Sequence, residues 1–480
     1  MTSFAAADTL HRLVKEALDS GAAASLEEAQ ALFHGYRLSF VIGSDEARRP
    51  AHQIALLTGV ALARRVFLGG VSVSGAVDAP LALPVPHGAT VGQGVLALGG
   101  QIESIPMADC PVVSIGGKQQ PRGRGFHVRT TFSGWSGGIV PVSVESVLEE
   151  GAAMPLAPML AAALAVNEAF LFVRRETGAA GRRAVGMSLW QPEPSYDWLG
   201  HPGDEPELGL LPSRLWLIGL GHLGQAYLWA LGLLPYADPS GLSLVLQDVD
   251  VVTPSTESTS ILTDATLVGQ KKTRAMAAWA GRRGFTTAIH ERLFDNTFTR
   301  QETEPTIALC GLDNALGRQA LDHVGFEFVV EAGLGRGYQD FRTMRLHTLP
   351  GSRTAAEIWK AAPSGESVVD RAAYRKLLEE GALDRCGATL LAGKAVGAPF
   401  VGAVAACLAV AEVLRLLNGG PLYQFVDLDL QSVEHRVAVP QQRDLGSLNP
   451  GFVVASASRA WCLRKGVSKT RRLRRRLTDD

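Results

Sequence analysis

Cysteine is scarce in this chain: five in 480 residues, scattered and with no Cys-x-x-Cys pair. That excludes a disulfide-stapled secreted scaffold and a thiolate zinc site. An excess of charge of one sign is also missing, since 46 basic side chains face 47 acidic ones. A nucleic-acid footprint needs clustered positive charge. The one dense cluster, Arg471-Arg472-Leu473-Arg474-Arg475-Arg476, sits at the extreme C-terminus and reads as a solvated tail, so no nucleic-acid partner is expected. No run reads as a secretory signal or a membrane span either. Asp8, His11, Arg12, Lys15 and Glu16 interrupt the first eighteen residues, so no secretory signal is read there. The most membrane-like stretch, 395–411, is short, contains Pro399 and is rich in Gly and Ala, as a buried helix would be. The expectation is a soluble protein of a reducing, cytoplasmic compartment with no membrane partner.

What is present is core-forming material. Hydrophobic residues make up 46% and charged residues 19%, enough apolar surface to offset chain ordering. The length exceeds one ordinary core and implies two or three domains. Two of these resemble each other. Arg37-Leu38-Ser39-Phe40-Val41-Ile42-Gly43 matches Arg214-Leu215-Trp216-Leu217-Ile218-Gly219, each a buried-strand pattern ending in Gly. Leu164-Ala165-Val166-Asn167-Glu168 matches Leu408-Ala409-Val410-Ala411-Glu412, each near the end of a small-residue apolar helix that follows a Pro. The order of the matches is kept, and 191–212, rich in Pro, Gly, Asp and Glu, separates the copies as a linker. The predicted organisation is a first unit at 1–190, the linker, a second unit at 213–430 with a helical insertion at 352–385, and a C-terminal strand segment and basic tail at 431–480. Strands alternating with helices predict an α/β fold with a doubly wound, mostly parallel sheet in each unit.

The chemistry is concentrated in the second unit. Gly219-Leu220-Gly221-His222-Leu223-Gly224 follows a predicted strand and opens a helix, the setting in which a GxGxxG turn lets backbone N–H groups approach a phosphate. His222 reads as a turn residue. Asp248 ends the next predicted strand, where a carboxylate can accept the ribose hydroxyls of either NAD or ATP. Beyond it lie Asp250, a hydroxyl-rich run at 253–259, Gly269-Gln270-Lys271-Lys272, and a strand ending in Gly311-Leu312-Asp313-Asn314.

Together these motifs resemble the ThiF/MoeB adenylating family, which includes the ubiquitin-activating enzymes. That family's pattern runs GxGxxG, D-x-D-x-V-x-x-S-N-L-x-R-Q, G-x-x-K, then a strand ending Asp-Asn, and the resemblance spans about 214–419. It implies two Rossmann-like ThiF-type units in pseudosymmetric tandem. It also implies an ATP site in which Gly219, Gly221, Gly224, Asp248 and Asp250 hold the nucleotide, Lys272 the phosphates, and Asp313 a Mg²⁺ ion. Acyl-adenylate formation puts negative charge on the α-phosphate and the leaving pyrophosphate, and a lysine with a metal-bearing carboxylate meets that demand. The chain departs from the pattern at Thr256 and Thr259, which stand where the family has Asn and Arg. Because family members lend an arginine across a dimer, Arg12, Arg64 and Arg65 are candidate substitutes.

The first unit continues Gly43-Ser44-Asp45-Glu46, without further glycines and with two carboxylates where phosphates would bind, so it reads as the degenerate half. Cys386, ahead of the second apolar helix, corresponds to the family's acyl-accepting cysteine. A thiolate is a suitable nucleophile for an acyl-adenylate. Cys310 and Cys407 read as core residues and Cys110 as part of a strand-like run, while Cys462 has nothing nearby that would activate it. The family's zinc-binding CxxC pair is absent. The leading expectation is therefore adenylation, then thioester transfer to Cys386, of a ubiquitin-like or sulfur-carrier protein ending in Gly. Two-unit activating enzymes of this kind resemble those of bacterial antiphage (Bil-type) conjugation operons, which implies a conjugating enzyme as partner and allows a homodimer. A silent ThiF-like scaffold that binds a peptide or carrier is the second expectation. A NAD-dependent dehydrogenase, resting on GxGxxG and Asp248 alone, is the third.

Overall fold

The computed structural model describes residues 6–84, 88–117, 125–148, 153–200, 205–360, 369–379, 381 and 383–456. Cys462 and the basic run 471–476 lie outside the described residues. The first sheet is built from β1 (Leu38–Ile42), β2 (Val71–Gly75), β3 (Gln101–Ile102), β4 (Val112–Ile115), β5 (His127–Ser133), β6 (Ser136–Pro141) and β7 (Val185–Ser188). Its spatial order is β3-β2-β1-β4-β5-β6-β7, parallel as far as β5 and antiparallel from there. After β8 (Leu210–Pro212) come β9 (Arg214–Ile218), β10 (Ser243–Gln247), β11 (Thr286–His290), β12 (Ile307–Cys310), β13 (Phe328–Leu334), β14 (Thr343–Leu349), β15 (Tyr423–Asp429) and β16 (Val437–Pro440). The second sheet, β11-β10-β9-β12-β13-β14-β15-β16, repeats the first order and the same switch from parallel to antiparallel, with one strand added. The α/β fold and its tandem repetition are as the sequence indicates. A last strand, β17 (Phe452–Val454), pairs with β8 across the stretch read as linker.

The central strands are continuous apolar runs because helices cover both faces. All five residues of β1 are buried, as are Leu215 to Ile218 of β9. Each sheet sends one long apolar helix to a shared seam. Leu156–Val173 packs on Pro50–Ala63 in the first unit and against Pro399–Asn418, which in turn packs on His222–Leu233 in the second. Both long helices have the length and composition of a membrane span, yet 89% of each apolar window is buried inside the fold, as an all-round apolar helix requires. Across the seam Phe170 and Phe400 meet with ring centroids 5.9 Å apart, and Trp229 Nε1–H donates to Thr58 Oγ1 at 3.1 Å.

The repeated glutamates do the same job in both copies. Glu168 accepts from the Gly181 N–H at 3.0 Å and from Arg183 at 3.2 Å, just before β7. Glu412 accepts from the Tyr423 N–H at 2.7 Å, at the start of β15, and pairs with Arg415. Both are fully buried, and that burial pushes both carboxyl pKa values up. Each pins the chain that returns from the long helix to the next sheet strand. Within the expected insertion, the described residues carry helices Ala355–Ile358 and Ala372–Glu379, and Arg385–Ala392 follows; 361–368 lies outside the described residues. Glu412→Ala strands the Arg415 guanidinium without its counter-charge. It is expected to cost about 3–5 kcal/mol in urea denaturation, and Glu412→Gln, which keeps the acceptor for Tyr423, less.

Candidate functional site

In the second sheet the strand order reverses beside β9, with β10 on one side and β12 on the other. A ligand crevice forms beyond the carboxyl ends of strands at such a switch point. A cleft of about 1060 Å³ opens there, and Gly219, Gly221, Asp248, Asp250, Lys272 and Asp313 all line it. Arg12, from the N-terminal segment, lines it as well, as does Thr259.

The three motif glycines have different reasons to be glycine. Gly219 has φ +82°, and an added Cβ would lie 3.0 Å from Gly311 O. Gly224 lies outside the cleft lining. Its Cβ would fall 1.9 Å from Gly219 O, so it serves close packing of the helix on the turn. Gly221 faces open space: an added Cβ meets only Lys272 Nζ, at 4.0 Å. It is the glycine whose backbone a ligand can approach.

The carboxylate of Asp248 is fixed by two backbone donors, Leu220 N–H at 2.7 Å and Asp250 N–H at 2.8 Å. Lys272, the first residue of helix Lys272–Arg283, is set by its own N–H donating to Asp250 O at 3.1 Å. Its ammonium lies 2.8 Å from Asp250 Oδ2 and 3.9 Å from Asp248 Oδ2. Asp313 sits exposed on the loop after β12, while its neighbour Asn314 caps the next helix by accepting from Gly317 N–H at 2.6 Å. Among the described residues no three metal-ligating side chains converge. A single carboxylate is nonetheless enough for Mg²⁺, which commonly binds one or two carboxylates together with substrate phosphates.

Arg12 is held across the boundary between the units. Its Nη2 donates to Ser255 Oγ at 3.1 Å and its backbone N–H to Ser258 Oγ at 3.1 Å. Its Nη1 is buried without a hydrogen-bond partner among the described residues. Burial lowers the Arg12 pKa, and Asp8 and Asp313 oppose that shift, which places Asp313 within electrostatic reach. Behind Arg12, Lys15 pairs with Asp19, Tyr374 OH donates to Asp19 Oδ1 at 2.6 Å, and Lys394 meets Asp8 at 3.0 Å. The N-terminal segment is thus tied to the insertion helix Ala372–Glu379. Arg64 and Arg65 are not in the cleft. Arg64 pairs with Glu257 at 2.9 Å, and Arg65 donates to the carbonyls of Glu257, Ile261 and Thr263 at 2.7–3.0 Å. They fasten the hydroxyl-rich loop to the first unit, a role that spacing along the chain does not distinguish from that of Arg12.

Cys386 is exposed, second in helix Arg385–Ala392, which Asp384 caps. It does not line the cleft, although Ala395, Val396 and Gly397, just beyond its helix, do. Cys310 and Cys407 are buried, and burial raises both thiol pKa values, consistent with core roles. His222 packs against Gly402, and burial holds its pKa at about 4, so it is a neutral packing residue at pH 7. The other half of the cleft carries no motif. Arg345, Asp427 and Asp429 come from β14 and β15, some eighty residues apart in the chain, and only strand pairing unites them. In the first unit the Glu46 carboxylate lies 2.2 Å from where a Cβ on Gly43 would stand and 3.0 Å from one on Gly117, filling the equivalent turn.

Residues 37–189 match the family model for the BilD N-terminal domain, and residues 211–420 that for the BilD C-terminal domain. The bacterial E1-like protein BilD of Collimonas sp. (strain OK412) is 46% identical over 420 residues, covering 87% of this chain and 90% of that one. The chain belongs to the BilD family. Among solved structures, this BilD-family chain is similar to E. coli MccB in complex with AMPCPP and MccA, at 16% identity and TM-score 0.35, covering 48% of this chain and 64% of that one. The chain thus spans a little under two thirds of that MccB. It is also similar to the E. coli tRNA N6-threonylcarbamoyladenosine dehydratase TcdA, at 16% identity and TM-score 0.29, covering 43% and 86% respectively.

Two measurements follow from this geometry. Gly224→Ala drives a methyl group into backbone and is expected to destabilise the protein by about 1–3 kcal/mol or more. Gly221→Ala, at a helix N-cap facing open space, should cost under about 1 kcal/mol in the same urea titration. His11 is the second probe: its Nδ1 accepts from the Leu13 and Val14 N–H groups at 3.3 and 3.4 Å, and burial holds its pKa at about 4. Like His222, it is neutral when folded but takes up a proton near pH 6.5 when unfolded. The stability this contributes is present above pH 6.5 and is lost as pH falls toward 4. Urea midpoints measured from pH 7 to 4 should drop less in a His11→Asn, His222→Asn variant.

Proposed function

We propose that this chain is an ATP–Mg-dependent activating enzyme that adenylates the C-terminal carboxylate of a ubiquitin-like or sulfur-carrier protein ending in Gly. One observation carries this reading: Asp248, Lys272, Asp313 and Arg12 converge on one cleft at the topological switch point. Asp248, already anchored by two N–H donors, presents a carboxylate to the ribose hydroxyls. Lys272 exchanges Asp250 for the phosphates. Asp313 would hold Mg²⁺, which would supply positive charge to the phosphates and the leaving pyrophosphate. Arg12 supplies the cation that Thr259 cannot. The open side of Gly221 lets backbone reach the nucleotide. The E1-like relative supports the same direction, and a dehydrogenase has no use for Lys272 and Asp313 in this position.

The acyl group then passes to Cys386, whose exposure fits a thiol that must meet a large acyl donor and hand it to a conjugating enzyme. The thiolate attacks the acyl carbon, AMP leaves with the bonding pair, and a thioester remains. A ubiquitin-like carrier, a conjugating enzyme and an antiphage conjugation role form the proposed setting, in the cytoplasm. The degenerate first unit, plugged by Glu46, serves as scaffold and as donor of Arg12. A silent carrier-binding scaffold is the alternative, and the replacement of the family arginine by Thr259 is what favours it.

Intact-mass analysis after mixing the chain with ATP–Mg and a Gly-ending ubiquitin-like protein of the same genome tests the proposal. A carrier-sized adduct, removed by thiol reagents and abolished by Cys386→Ala, is expected. Lys272→Ala and Asp313→Ala should each lower AMP formation by about 10²–10³-fold. AMP on the carrier without an adduct would remove Cys386 from the pathway, and carrier binding without AMP formation would leave the scaffold.

A further inference from the structure

The hydroxyl-rich run is usually the place where this kind of unit would carry its own arginine, yet here it is occupied by side chains that receive one. Thr253, Ser255, Thr256, Ser258 and Thr259 stand within seven positions. Ser255 and Ser258 are both 3% exposed, an unusual placement for hydroxyls unless they are hydrogen-bonded. Their bonding directions fit together. Ser258 Oγ–H donates to Ser255 O at 2.6 Å, which leaves its lone pairs for the Arg12 backbone N–H at 3.1 Å. Ser255 Oγ lies 3.0 Å from Thr253 Oγ1, so its proton can go there while it accepts from Arg12 Nη2 at 3.1 Å. Thr253 Oγ1 in turn lies 3.0 Å from Thr256 Oγ1, inside a capping box that fixes the short helix Pro254–Glu257. The run is a preformed acceptor array on the second unit, and its guest comes from the first. Arg65 and Arg64 hold the same loop from behind, so the array cannot drift from the unit that supplies Arg12.

We propose that Ser255 and Ser258 are positioning residues that seat Arg12 at the phosphate end of the cleft. Ser258 fixes the backbone from which the side chain departs, and Ser255 fixes one guanidinium nitrogen. Nη1, buried and without a hydrogen-bond partner among the described residues, is the donor this seat would leave for a phosphate. This inference rests on the cleft binding ATP. It adds that Thr259, standing where the resembling family carries an arginine, and these hydroxyl contacts to Arg12 belong to one arrangement.

Affinities of the full-length chain for ATP–Mg, ADP and AMP, measured by isothermal titration calorimetry, test it. The chains compared are the wild type, Ser255→Ala, Ser258→Ala, Arg12→Ala, and Arg12→Ala combined with each serine change. Each serine change is expected to weaken ATP about tenfold, the scale of a hydrogen bond to a charged group, and AMP less than about twofold. In the Arg12→Ala background either serine change should have almost no further effect on ATP. Equal losses with and without Arg12, or equal losses for ATP and AMP, would reduce the serines to loop stabilisers and overturn the proposal. A wild-type chain that binds none of the nucleotides would instead overturn the reading of the cleft, and the seat with it. Should Ser255→Ala fail to fold, Ser258→Ala, at the carboxyl end of the short helix, carries the same comparison.

Discussion

Everything in this structure depends on the seam between Leu156–Val173 and Pro399–Asn418. Each helix is apolar on every side, so neither can be a surface element of its own unit, and each must be covered by the other. Burying them together fixes the position of one sheet relative to the other. Without that constraint the segment carrying Arg12 would have no defined relation to the cleft of the second unit. The Phe170–Phe400 contact lies on this seam, and beside it Trp229 of His222–Leu233 bonds Thr58 of Pro50–Ala63. The two units differ at the turn after their first sheet strand. One keeps an open glycine turn; the other has closed its turn with Glu46.

Much of this was legible in the sequence, for physical reasons. A buried parallel strand must be a short apolar run, and a phosphate-approaching turn must be glycine at particular places, so β1, β9 and the Gly219 turn could be read directly. The paired Leu-Ala-Val runs ending in Glu168 and Glu412 were legible as a repeat because a buried acid on an apolar helix is rarely free to vary its position. The motif reading did not separate the roles of the glycines. Gly224 is a packing residue and Gly221 the approachable one, a difference set by where a Cβ would point. Spacing along the chain does not contain that information.

The remainder was illegible because it is made by contacts distant in sequence. Arg12, Arg64 and Arg65 look alike on paper. Their partners on the 253–263 loop lie some two hundred residues away, and only the docking of the units decides which arginine enters the cleft. The far wall formed by Arg345, Asp427 and Asp429 depends in the same way on β14 meeting β15. Cys386 is the converse case. The sequence placed it in a plausible motif, and the structure puts its exposed thiol on a helix outside the cleft.

The covalent joining of the two units has a consequence for how such a protein behaves when scarce. Where a site borrows a side chain from a separate subunit, dilution empties the site as the subunits part, and exchange with a damaged copy disables two sites. Here the loan is made within one polypeptide, so the effective concentration of Arg12 at the cleft is set by the fold and is independent of how many copies a cell holds. A few molecules are each as complete as many. The first unit, whose equivalent turn is filled by Glu46, reaches that cleft through the segment that carries the arginine.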